Sequence, residues 1–156
     1  MNAFFYKQFE ITRGQLLQEV GGISSDIVDV QPEGFNNTIH WHVGHVLTVT
    51  EQFLFGFPKA STHLPEEYLQ LFGNGTKPAD WSGEVPSVEE LVLQLKDQLV
   101  RMKDISDDFL AQPLAQPFHG LQTHGELASL SLSHESNHLG QLHAIKLVAT
   151  RTGLHK

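Results

Sequence analysis

The chain has 156 residues, no cysteine and a formal charge of −8, from 18 acidic against 10 basic side chains. This length suits one compact domain over residues 1–156 that buries a sufficient core without staples. Missing cysteine excludes disulfides, thiolate metal sites and a cysteine nucleophile, and the acidic balance without a basic stripe argues against a nucleic-acid partner.

Residues 3–20 place Phe5, Phe9, Leu16, Leu17 and Val20 at amphipathic helical spacing, and Gly21-Gly22 punctuates the end. Residues 24–37, with Pro32 and Gly34, read as a loop. Residues 38–55, TIHWHVGHVLTVTEQFLF, are apolar almost all round and predict a buried second helix. Their β-branched content leaves a strand as the alternative, but the run is too long for a usual strand. Residues 56–86 are rich in proline and glycine and predict a long connection, with one short helix at 65–72. Such long connections are often functional. Ser87-Val88-Glu89-Glu90 and Thr123-His124-Gly125-Glu126 both spell S/T-x-x-E capping boxes. They start a third helix over 88–110, with Leu91, Leu95, Leu99, Met102 and Phe109 as its stripe, and a fourth over 124–151. No strand pattern is convincing. The expected fold is therefore all-α, a four-helix bundle with a long connection between helices two and three.

The start, MNAFFYKQFE, has no basic segment followed by an apolar run, so no signal peptide is expected. No apolar stretch approaches the ~20 residues of a bilayer span. A cytoplasmic, membrane-free protein is the expectation.

Ten dispersed histidines are the unusual feature. On the fourth helix His134 and His138 are i, i+4 neighbours about 40° apart, on the face that also carries Leu127, Leu130, Gln141, Ile145 and Val148. Two neutral imidazoles from consecutive turns can bind one metal ion; they could equally be hydrogen-bonded core residues. A third ligand candidate lies on the second helix, in Ile39-His40-Trp41-His42-Val43-Gly44-His45. His45 and His42 compete for that role. Gly44 removes a side chain beside His45, and Trp41 lies one turn before it. His40 belongs to the helix entrance. His143 should face away from the pair, His119 and His124 flank the start of the fourth helix and could line a site mouth, and His63 and His155 read as solvated. Gln141 and Asn137 are candidates to orient an imidazole from outside.

The run His134-Glu135-Ser136-Asn137-His138 also spells H-E-x-x-H, in which the glutamate would be a zinc protease's general base. Glu135 could instead form a surface salt bridge. Three features oppose a protease. Gly140 and His143 each come one residue too early for the longer H-E-x-x-H-x-x-G-x-x-H form, no acidic ligand follows His138, and no strand is evident to align a peptide.

Trp41-x-x-x-His45, with Gly44 before the histidine, together with His134-x-x-x-His138-x-Gly140-Gln141, resembles the DinB-like superfamily of small bacterial four-helix bundles. The resemblance covers nearly the whole chain. It implies metal ligands His45, His134 and His138, settling the third position on His45; Trp41, His42 and Gln141 are then the expected neighbours of the site. It further implies a divalent metal (zinc or nickel first, iron or manganese as alternatives), a hydrolase or thiol-transferase type of activity on a small molecule, a thiol cosubstrate such as bacillithiol, and a homodimer. A non-catalytic metal-binding stress-response protein is the alternative function.

Overall fold

The computed structural model describes residues 1–59 and 61–153, with side chains through Arg151. Seven α-helices and one hairpin are present among them. They are α1 (Ala3–Val20), α2 (Ser25–Val28), α3 (Ile39–Glu51) continued by a π-helical turn (Gln52–Gly56), α4 (Glu67–Phe72), α5 (Val88–Met102), α6 (Asp107–Ala111), strands β1 (Pro113–Phe118) and β2 (Leu121–Thr123), and α7 (His124–Gly153). The four long helices form the bundle in the ring order α1, α7, α3, α5: α1 touches α7 and α5, and α3 touches the same two from the opposite corner.

Each start has a local cause. Asn2 Oδ1 accepts the Phe5 amide of α1, and Thr38 Oγ1 accepts that of Trp41 in α3. Both predicted capping boxes are formed: Ser87 with Glu90 at α5, and Thr123 with Glu126 at α7. An oxygen on each cap satisfies an amide that no helical carbonyl can reach.

Every residue of α3 is buried. α5 and α7 cover its inner side, and α4 covers the outer side. The near-uniform apolar character of this helix is thus explained within one chain.

The third helix is shorter than expected. α5 ends at Met102, and α6 starts afresh behind Ser106, whose Oγ accepts the Phe109 amide. Ser106-Asp107-Asp108 is an N-terminal signal that outweighs the apolar spacing of Phe109. A second departure is the small antiparallel hairpin at 113–123. Its turn, Phe118-His119-Gly120-Leu121, has both central residues at positive φ, 50° and 84°. That is the backbone that two-residue hairpins need. The residues read as loop at 24–37 contain the short α2.

The core has two apolar clusters. One holds Leu16, Leu47, Leu95 and Leu142; the other holds Phe9, Leu54, Met102 and Ala128. Each long helix also contributes one member to a buried polar network: Arg13, Glu51, Gln98 and Glu135. They are joined. Arg13 donates to both Glu135 oxygens at 2.6 and 2.9 Å, to Gln98 Oε1 at 3.1 Å and to the Leu95 carbonyl at 2.7 Å. Gln98 Nε2 donates to Glu51 at 2.7 Å, and Arg101 grips Glu51 with both Nη atoms. The charges close on themselves, as a buried layer requires.

Candidate metal centre and cleft

The buried stripe of α7 runs through Ala128, Ser131, Glu135, His138, Leu142, Ile145 and Ala149. His138 lies on it, and His134 sits at its α3 edge, half-buried. α3 brings His45 to meet them. One ring nitrogen from each of His45, His134 and His138 lies within 4.8 Å of the others.

Their surroundings orient the rings. His45 Nδ1 is 2.6 Å from the Phe72 carbonyl, which can only accept, so this nitrogen carries the proton and donates it. The Nε2 lone pair of His45 then points into the cluster. His134 Nε2 is 3.1 Å from it. Two nitrogens sharing one ion at ~2.1 Å are separated by roughly 3.0–3.4 Å, so the spacing already fits a common ligand sphere. His138 Nδ1 shares a 2.8 Å hydrogen bond with His42 Nδ1. Among the described residues His134 has no such outer partner; its Nδ1 is buried and unbonded. Trp41 stacks flat on His45, with ring centres 4.3 Å apart and planes 15° from parallel, and is fixed by its Nε1–H donating to Thr76 Oγ1.

Gly44 is required by packing. A Cβ there would stand 2.3 Å from Phe72 Cδ1. Its absence lets α4 approach until the Phe72 carbonyl reaches His45. Gly140 has no comparable constraint, since a Cβ there meets nothing within 4 Å.

All four imidazoles are held neutral near pH 7. Burial is the main cause, and mutual repulsion adds to it; the Phe72 carbonyl opposes it at His45. His42, His45 and His134 are lowered to about 4 and His138 to about 2. Neutral rings offer the lone pairs that a cation needs.

Glu135 corrects the protease spelling. It is neither a base beside the histidines nor a surface residue, but fully buried in the ion pair with Arg13. One residue advances a helix by 100°, which turns Glu135 towards α1 and α5 while His134 faces α3. The sequence stripe had centred on the histidines and missed that Arg13, inside an apolar pattern on α1, demands a carboxylate partner. Gln141 is likewise displaced: it is exposed, and no hydrogen bond joins it to a histidine among the described residues. Val148, counted on the inward face, is exposed, and Asn137 is exposed too.

The remaining histidines are spread out. His40 bridges Asp29 and the Pro86 carbonyl, His63 meets Asp97, His143 turns to Glu19, and His124 lies against Phe109. His155 lies outside the described residues. His119 joins the site region. With His45, Val49, Gln52, Phe53, Phe57, Asn74, Phe118, Leu130 and His134 it lines an open cleft of about 450 Å³.

The architecture and the histidine geometry agree with a comparison to known families, where the DinB superfamily profile matches residues 8–142. The chain belongs to the DinB superfamily. No curated protein matches it. Membership in the superfamily accords with the helical bundle and with the buried cluster of His45, His134 and His138, which could hold a divalent metal. Among the described residues, no helix of this DinB-superfamily protein is long and apolar enough to cross a membrane.

Several site features left little mark on the sequence. The Phe72 carbonyl is a backbone group, invisible to any residue pattern. Phe53 and Phe57 reach the cleft from the π-helical turn and its exit, and Phe118 reaches it from the hairpin. Only Phe-His-Gly-Leu, a short turn between apolar residues, could have signalled the last of these.

Proposed function

We propose that this DinB-superfamily protein is a metal-dependent enzyme whose His45, His134 and His138 bind a divalent cation, with water or a low-molecular-weight thiol attacking a small electrophilic substrate. The observation that carries this reading is a cluster of three convergent neutral imidazoles, two of which, His45 and His134, line an open cleft. A purely structural site is normally closed by a fourth protein ligand. His42, the nearest candidate, is bonded to His138 Nδ1 instead. A cation held there supplies Lewis acidity, which makes water or a thiol a better nucleophile near neutral pH. The chain's own contribution is orientation. The Phe72 carbonyl fixes the tautomer of His45, His42 restrains His138, and Trp41 restrains the His45 ring. The cleft holds the substrate against His45 and His134.

The test is elemental analysis of protein purified without nickel resin, followed by an activity screen with and without added thiol. Stoichiometric metal that disappears in His134→Ala/His138→Ala is expected, together with metal-dependent turnover. Metal content and thermal stability unchanged in the double variant would refute the assignment. Stoichiometric metal without turnover would favour the non-catalytic reading.

A second copy of the chain is the partner we propose. The apolar α3 does not support it, because α4 covers that helix. Phe4 and Ile11 on α1 and Leu93 and Val100 on α5 do, since they point outward and are exposed by 81, 47, 65 and 63%. Sedimentation analysis of wild type against Phe4→Lys/Leu93→Lys tests it.

A further inference from the structure

The cleft beside His45 and His134 has an unusual lining. Three phenylalanines form a box across it. Phe53 and Phe57 each meet Phe118 edge to face, with ring centres 5.5 and 5.3 Å apart, and Phe53 lies 6.5 Å from the His134 ring. Val49 and Leu130 add aliphatic wall. The polar groups are two side-chain amides, Gln52 and Asn74, and the imidazoles. Among the described residues no Lys, Arg, Asp or Glu lines the cleft. Lys59 lies two residues beyond Phe57, but it is exposed and not part of the wall.

Local structure builds this box. α3 gives way to a π-helical turn at Gln52, which re-aims Phe53 and Phe57 relative to the α-helical rows. The hairpin supplies Phe118. His119, next to it, sits at φ 50°, a left-handed conformation that a non-glycine residue adopts at a cost, and packs edge-on against Phe118 at 4.4 Å. The hairpin therefore keeps an imidazole at the cleft rim where glycine would be easier.

We propose that the cleft takes an uncharged substrate with a flat aromatic body, gripped between Phe53, Phe57 and Phe118, with its reactive group at the His45–His134 end. This rests on the metal-enzyme reading above for the reactive end only. Three physical points carry it. Aromatic edges and faces favour another ring. Away from the His45–His134 end, carboxylate, phosphate or sulfonate groups would lose their water without gaining a counter-charge from any side chain of the lining. The net charge of −8 repels anions further. A thiol that carries carboxylates finds no cationic side chain in this lining among the described residues. The nucleophile consistent with the cleft is water or an uncharged thiol.

The test uses naphthalene-2-carboxamide and naphthalene-2-carboxylate, which differ in charge but hardly in shape. Binding to the full chain is measured by fluorescence or chemical-shift titration at mildly alkaline pH. It is done on metal-stripped and on zinc-loaded protein. On stripped protein the carboxamide is expected to bind at least about tenfold tighter than the carboxylate. Phe118→Ala is expected to weaken it about tenfold, a loss of ~1.4 kcal/mol, with zinc content unchanged. Equal or tighter carboxylate binding to stripped protein would overturn the proposal, as would carboxamide binding indifferent to both Phe118→Ala and Phe53→Ala. If the chain takes up no zinc yet keeps the carboxamide preference, the metal-enzyme reading fails and the cleft assignment stands.

Discussion

Removing the Glu135 carboxylate distinguishes the two roles its sequence position suggests. Arg13 and Glu135 are both fully buried and joined by two charge-assisted hydrogen bonds of 2.6 and 2.9 Å. In Glu135→Ala the guanidinium keeps only the Leu95 carbonyl and Gln98 Oε1 as acceptors, and its charge has no adjacent counter-ion. Breaking one side of a buried pair costs about 3–5 kcal/mol. For a domain of this size, each kcal/mol corresponds to roughly 2–4 °C in Tm, so a fall on the order of 10 °C is expected. Arg13→Ala should cost a similar amount, and the double variant far less than the sum, giving a coupling energy of about 2 kcal/mol or more. The assays are urea denaturation and calorimetry on the four proteins, with zinc content measured below the transition. Zinc per folded molecule should be unchanged, because among the described residues the Glu135 carboxylate bonds to Arg13 and to no histidine of the cluster. A Glu135→Ala protein within ~0.5 kcal/mol of wild type, but with turnover abolished, would refute this reasoning and restore Glu135 as a catalytic base.

Three further outcomes are expected. Gly44→Ala should push Phe72 away, cost about 1–3 kcal/mol through overpacking, and lower zinc affinity because the carbonyl that holds His45 moves with that residue; a zinc titration reads the second effect independently of the first. Metal-stripped protein should lose stability as pH falls from about 6.5 through 4. His42, His45, His134 and His138 are all depressed from 6.5, so the unfolded chain takes up protons there that the folded chain refuses. Each proton of difference gives a slope of about 1.4 kcal/mol per pH unit, and the slope fades above about pH 7.5, where both states are neutral; denaturation midpoints across this range, compared with His134→Ala/His138→Ala, should show the slope reduced in the variant. His119→Gly should raise stability by up to about 1 kcal/mol, since the left-handed backbone no longer opposes a Cβ, and a lower Tm would mean that the imidazole stabilises the hairpin by more than its backbone costs.

What local chemistry controls was legible before any coordinates. The capping boxes at Ser87 and Thr123, the apolar run of 38–55 and the i, i+4 histidines each encode their own outcome within a few residues, because helix initiation and face are short-range properties. Gly44 beside His45 was legible as a close approach, though the approaching residue was not. Other features depend on partners far along the chain. The stripe of α7 was mis-centred because Glu135 counts as polar until Arg13, 122 residues away, neutralises it in the core. The break at Met102 needed the Ser106 cap to be weighed against a plausible apolar spacing. Tertiary structure also decided the chemistry of the site. A backbone carbonyl on α4 sets the tautomer of His45, a neighbouring imidazole restrains His138, and a π-turn and a hairpin carry three rings to one cleft. Those are distances between elements, and a linear pattern holds no record of distance.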